Sequence, residues 1–215
     1  MTAWRRATAD GLGTALLLAA VVGSGIMGEK LAQGNDAIAL LANALATGFA
    51  LAALIIAFGP RTGAHFNPLV TLALAVRGEV RWNCVLPYVV MQFLGALLGV
   101  AAAHLMFDLP VLQCAAKARS GFGLWWSEVV ATFGLVLVVL GCDGKRPWAA
   151  PLAVSSYITA AYWFTASTSF ANPAVTIARG FTDTFTGIAL NHVPAFIAAQ
   201  VVGAGLALIA DRAWR

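Results

Sequence analysis

Six stretches of the chain are apolar and almost free of charge: roughly residues 8–28, 37–59, 82–106, 124–142, 149–169 and 193–213. Each is long enough, or nearly so, for the ~20 residues with which a helix crosses a bilayer. Two shorter apolar runs, Leu72 to Val76 and Ile177 to Phe181, stop at glycine and charge after about half that length. The pattern predicts six membrane-spanning helices and two half-helices.

Both half-helices begin with the same word. His65-Phe66-Asn67-Pro68-Leu69-Val70-Thr71 and Phe170-Ala171-Asn172-Pro173-Ala174-Val175-Thr176 share Asn-Pro-x-Val-Thr at a separation of 105 residues. Proline suits the first turn of a helix because it lacks an N–H and has a fixed φ, and the asparagine before it can cap the free N–H groups there. A single Asn-Pro is turn punctuation, but the duplication extends further. Asp10 precedes Thr14 as Glu128 precedes Thr132, and Gln92 with Gly95 and Gly99 matches Gln200 with Gly203 and Ala207. The small residues let helix backbones approach closely. One domain, residues 1–215, is therefore expected to hold two repeats, about 1–107 and 124–215, with three spans each. An odd number of crossings turns the second repeat upside down, so the Asn-Pro loops enter from opposite faces. Non-helical backbone at membrane depth is tolerated where protein buries it or where it lines a watery cavity, which points to a pore.

With 60% hydrophobic and 10% charged residues and a mean hydropathy of +0.83, the composition is that of an integral membrane protein. The net charge of +4 then reports orientation and not a nucleic-acid partner. With a cytoplasmic N-terminus, nine bases lie inside (Arg5, Arg6, Arg61, Arg77, Arg81, Lys145, Arg146, Arg212, Arg215) and four outside (Lys30, Lys117, Arg119, Arg179), in line with the positive-inside rule. Cys84, Cys114 and Cys142 have no metal-ligand spacing, and no metal or other cofactor is expected. Arg5-Arg6 before an apolar run raises the possibility of a signal peptide, but Asp10 interrupts the pattern and no small-residue cleavage site follows.

The paired words resemble those of the major intrinsic proteins, the aquaporins and glycerol facilitators, and the resemblance covers essentially the whole chain. It implies an all-α membrane fold with six transmembrane helices and two re-entrant half-helices in an inverted 3+3 repeat. The helix N-termini would meet at mid-membrane and disfavour cations there, while Asn67 and Asn172 would donate hydrogen bonds to a passing oxygen. In the family, carboxylates matching Asp10 and Glu128 hold the re-entrant loops. A proton-relay role for these two is the rival reading. His65 corresponds to a histidine at the cytoplasmic side of the family's pore, and a packed, hydrogen-bonded histidine is an equal alternative. Phe66 adjoins it in the first loop.

Two departures concern selectivity. Leu69 stands where the family usually has alanine, and so either narrows the middle or repacks it. Val175 stands where the family normally has arginine after the second motif. Counting from the asparagines, the other filter positions fall on Thr47, Ala160 and Ser169, which with Val175 predicts a wide, uncharged constriction. Arg179, one turn beyond Val175, is either a displaced filter charge or a residue that neutralises the half-helix end and pairs with Asp183. Neutralisation is the simpler reading.

The expectation is a non-enzymatic channel of a bacterial inner membrane with cytoplasmic termini. It would pass water and small neutral solutes: glycerol, urea, undissociated arsenous or antimonous acid, and organoarsenicals. The metalloid candidates come from resemblance to bacterial members with valine after the second motif, which are associated with arsenic handling. The family implies a homotetramer, with the lipid bilayer and the solutes as the other partners. The competing readings are a water-selective aquaporin, an ion-coupled transporter using Asp10 or Glu128, and a junction-forming protein with a vestigial pore.

Overall fold

The computed structural model describes residues 2–142 and 148–215. Helices α1 (Ala3–Ala32), α2 (Asp36–Thr62), α3 (Pro68–Val76) and α4 (Trp82–Met106) make the first repeat. Helices α5 (Phe122–Gly141), α6 (Ala149–Phe164), α7 (Pro173–Arg179) and α8 (Val193–Ala213) make the second. No strand occurs among the described residues. Lys145 and Arg146, counted above for topology, lie outside the described residues.

Close packing follows the small residues. A Cβ at Gly95 would strike the carbonyl of Gly11, and one at Gly99 that of Ala15, so α4 lies directly against the backbone of α1. In the second repeat a Cβ at Gly203 would strike the carbonyl of Val129, which brings α8 against α5 in the same way. These contacts replace the hydrophobic drive that lipid does not supply between helices.

The half-helices start where Asn-Pro predicts. Asn67 caps α3 by accepting from the N–H of Leu69 (2.9 Å), and Asn172 caps α7 by accepting from those of Ala174 (3.0 Å) and Val175 (3.3 Å). With 9 and 7 residues, at about 1.5 Å each, neither crosses a membrane. Phe181 falls outside α7, which ends at Arg179 with Gly180 as its cap.

Span boundaries differ from expectation in three places. Helix α1 runs to residues 3 and 32, beyond 8–28, with Thr2 as its cap. Helix α2 continues past residue 59 to Thr62, with Pro60 in its last turn, and closes on Gly63 at φ 87°. Helix α6 stops at Phe164 and not at 169, because Thr165 turns to extended backbone (φ −111°, ψ 135°); positive φ at Thr168, Ser169 and Ala171 follows in the loop.

Candidate functional site

Two buried carboxylates hold the loops. Asp10 Oδ1 accepts from the N–H of His65 (2.9 Å) and the hydroxyl of Thr62 (3.1 Å), and Oδ2 from the N–H of Phe66 (3.1 Å) and the amide of Gln92 (2.8 Å). Glu128 Oε1 accepts from the N–H of Phe170 (2.9 Å), and Oε2 from the N–H of Ala171 (2.8 Å) and the amide of Gln200. Both are fully buried. A charge so buried is tolerable because each oxygen is hydrogen-bonded to donors that would themselves lack partners. Each glutamine also donates to the threonine of the nearby half-helix, Gln92 to Thr71 (3.0 Å) and Gln200 to Thr176 (2.8 Å).

The asparagines join the loops to each other. Asn67 Nδ2 donates to the carbonyl of Ala171, and Asn172 Nδ2 to the carbonyl of Phe66, each at 2.8 Å. Pro68 and Pro173 are buried directly behind them.

A cavity of about 570 Å³ runs past both asparagines. Its near end, toward the chain termini, is lined by Arg6, Arg81, Cys84 and Tyr88, its middle by Phe66, Asn67, Val70 and Asn172, and its far end by Thr47, Tyr162, Ser169, Val175 and Arg179. His65 also lines it, with Nδ1 3.0 Å from the Thr71 hydroxyl and its ring 4.8 Å from that of Tyr88. The histidine is thus both packed and on the wall.

The geometry places the remaining candidates unequally. Leu69 does not line the cavity; it packs with Ala73, Val136, Leu140, Ala204 and Ala207 between α3, α5 and α8, so it repacks the middle and does not narrow it. Ala174 packs on the other side, with Leu18, Val22, Ala96 and Val100. Thr47, Ser169 and Val175 all line the cavity.

Ala160 is a correction. It is exposed on the outer face of α6, in an apolar groove with Leu45, Phe49, Leu152 and Trp163. The cavity face of α6 carries Val154, Ile158 and Tyr162, four residues apart, so counting back from Asn172 misses the helical phase by two positions. Tyr162 lines the cavity in its stead, its hydroxyl 3.3 Å from that of Thr47.

Arg179 is the second correction. It makes no ion pair with Asp183 among the described residues; Asp183 accepts from the N–H of Ala116 (2.9 Å). The arginine is buried, lines the cavity, donates through Nε to the carbonyl of Thr186, and stacks 3.5 Å from the centre of the Phe170 ring. Arg119, from the connection between α4 and α5, lies 5.1 Å from the same ring and donates to the carbonyls of Gly187 (2.9 Å) and Ser167 (3.3 Å). Burial lowers the pKa of Arg119 and of its neighbour Lys117, and for Arg119 the charge of Glu128 opposes the shift. Nothing in the sequence pattern pointed to Arg119 or Tyr162.

Comparison with known proteins agrees with this geometry. A model of the major intrinsic protein family matches residues 1–169. Aquaglyceroporin AqpS of Rhizobium meliloti (strain 1021) is 52% identical over 95% of this chain and 87% of its own length. Probable aquaporin AqpM of Archaeoglobus fulgidus is 32% identical over 95% of this chain and 94% of its own. The solved aquaglyceroporin of Plasmodium falciparum has the same fold, with a TM-score of 0.73 at 20% identity over 96% of this chain and 94% of that one.

Proposed function

The chain belongs to the major intrinsic protein family, and is thus a multi-pass membrane channel for small solutes and no enzyme; on that premise we propose that it conducts neutral polyol-sized solutes through a wide far-end filter. The observation that carries this reading is Val175 on the cavity wall, where the family normally has arginine. With Thr47, Tyr162 and Ser169 it offers hydroxyls and an aliphatic face to a hydroxylated solute. Glycerol, urea, arsenous and antimonous acids and organoarsenicals fit that chemistry, and the name of the Rhizobium relative, an aquaglyceroporin, favours the same class.

Asp10 and Glu128 serve as loop supports. All four of their oxygens accept hydrogen bonds from loop N–H groups or neighbouring side chains, which supports a structural role over proton coupling. Asn67 and Asn172 orient the passing solute, His65 and Phe66 line its path, and Pro68, Leu69, Pro173 and Ala174 fix the half-helix starts. The near end faces the cytoplasm, on the distribution of basic residues. The protein works as a homotetramer of single 1–215 domains, each an inverted pair of repeats, in a bacterial inner membrane.

A second reading, a water-selective pore, is favoured by one observation: Arg179 reaches the far end of the cavity and restores a cation there. Elemental uptake of arsenous acid into proteoliposomes, beside glycerol influx and osmotic water flux, separates the two. Entry of both solutes is expected; water flux with both excluded would establish the second reading.

A further inference from the structure

Lys117, Arg119 and Arg179 lie close enough to act on one another near the far end of the cavity, Arg179 lines it, and no ion pair joins any of the three to a carboxylate among the described residues. Lys117 Nζ donates to the carbonyl of Phe185 (2.9 Å) and lies 4.8 Å from the centre of that ring. Arg119 is held by the carbonyls of Gly187 and Ser167, and Arg179 by that of Thr186, with the Phe170 ring near both guanidiniums. Among the described residues the ion pairs join Arg77 to Glu79 and Asp211, and Arg215 to Asp211. Glu29 and Asp36 act on the exposed Lys117, whereas the acid that acts on both buried arginines, Glu128, accepts from Phe170, Ala171 and Gln200, and Asp183 accepts from Ala116. Carbonyls and ring faces supply partial charge only, so the two buried guanidiniums, Arg119 and Arg179, which have no ion pair among the described residues, keep a net attraction for an anion.

One uncommitted donor, Ser169, and a mutually bonded pair of hydroxyls line the same end of the cavity. The hydroxyl of Ser169 is buried and has no partner among the described residues, and Ser169 lines the cavity end that Arg179 reaches. Thr47 and Tyr162 bring two more hydroxyls there.

We propose that this end of the cavity is a binding site for a small monovalent oxyanion such as a carboxylate, held by the Arg179 guanidinium and the Ser169 hydroxyl, with Arg119 as supporting charge. Arg179 supplies planar, forked donors suited to a two-oxygen group. An anion seated there and a neutral solute in passage need the same donors, so each excludes the other. Binding itself does not depend on the transport reading.

The test is calorimetric titration of formate into the purified full-length protein at pH 7, with glycerol influx into proteoliposomes measured at rising formate and constant ionic strength. Saturable binding is expected, weakened at least tenfold in Arg179→Gln and by less in Arg179→Lys, which keeps the charge but loses the fork, with formate reducing glycerol influx over the same concentration range. Absence of binding, or equal binding in Arg179→Gln, overturns the site. If Arg179→Gln does not fold, Ser169→Ala and Arg119→Gln replace it: several-fold weakening in each supports the site, and unchanged affinity in both overturns it. Formate binding without any glycerol entry would keep the site and remove the neutral-solute reading; glycerol entry without formate binding would do the reverse.

Discussion

Asp10 and Glu128 hold their loops with nearly interchangeable sets of partners: two consecutive loop N–H groups, a glutamine amide, and through that glutamine a half-helix threonine. The residues beside these supports have diverged. His65 in the first loop corresponds to Phe170 in the second, and Leu74 on α3 to Arg179 on α7. Near the end of α3, Arg77 is neutralised by Glu79 (3.0 Å) and Asp211 (3.2 Å). At the end of α7, Arg179 has a carbonyl and a ring as partners and no ion pair among the described residues. The parts that fold the loops, the two asparagines on the cavity wall included, are thus duplicated, while Ser169 and Arg179, on the wall of the proposed filter, have no like counterparts in the first repeat.

The largest effect is expected from breaking the shared set. Asp10→Ala or Glu128→Ala leaves two loop N–H groups buried without an acceptor, at about 1–3 kcal/mol for each group, and leaves the glutamine amide with its threonine acceptor alone. Either should prevent recovery of a folded, monodisperse protein on size-exclusion chromatography. Asp10→Asn and Glu128→Gln retain an acceptor oxygen, and should fold with lower thermal stability while conducting in proportion to the folded fraction. Loss of solute flux at full folded yield would instead make these residues a transport site.

Packing comes next. Gly95→Val and Gly203→Val each drive side-chain carbon into a facing carbonyl, that of Gly11 or Val129, and overpacking of this kind costs about 1–3 kcal/mol. Both should lower the thermal midpoint by several degrees, whereas Gly123→Ala, with open space around it, should leave it unchanged.

The filter gives a smaller and more selective effect. Val175→Arg should reduce the glycerol-to-water flux ratio by about tenfold, the consequence of some 1.4 kcal/mol of added barrier for the larger solute. An unchanged ratio would remove Val175 from the filter. Smallest of all, Tyr162→Phe loses one hydroxyl contact and should change that ratio by less than about tenfold, since such a bond is worth about 1 kcal/mol. Ala160→Leu, on the outer face, should not change it.

The repeat, the half-helix starts and the two carboxylates were legible because proline, a capping asparagine and a charge inside an apolar run have few physical explanations. Gln92 and Gln200 were visible at matching places, but only as neighbours of small residues; their hydrogen bonds to the carboxylates and threonines depend on the approach of α4 and α8 to the loops. Tyr162 was missed because the filter position was counted through a connection whose phase is set by positive φ at Thr168, Ser169 and Ala171. Arg119 was missed for another reason. It sits on a long connection with no periodicity, tied to the second half by the bonds from Ala115 N–H to Gly180 O (3.0 Å) and from Ala189 N–H to Lys117 O (2.8 Å).

The central claim is that the far end is wide enough for a polyol although Arg179 stands beside it. Stopped-flow light scattering on proteoliposomes given an inward glycerol gradient tests this most directly. The account predicts rapid shrinkage followed by fast protein-dependent reswelling as glycerol enters; fast shrinkage with reswelling no faster than in empty liposomes would contradict it.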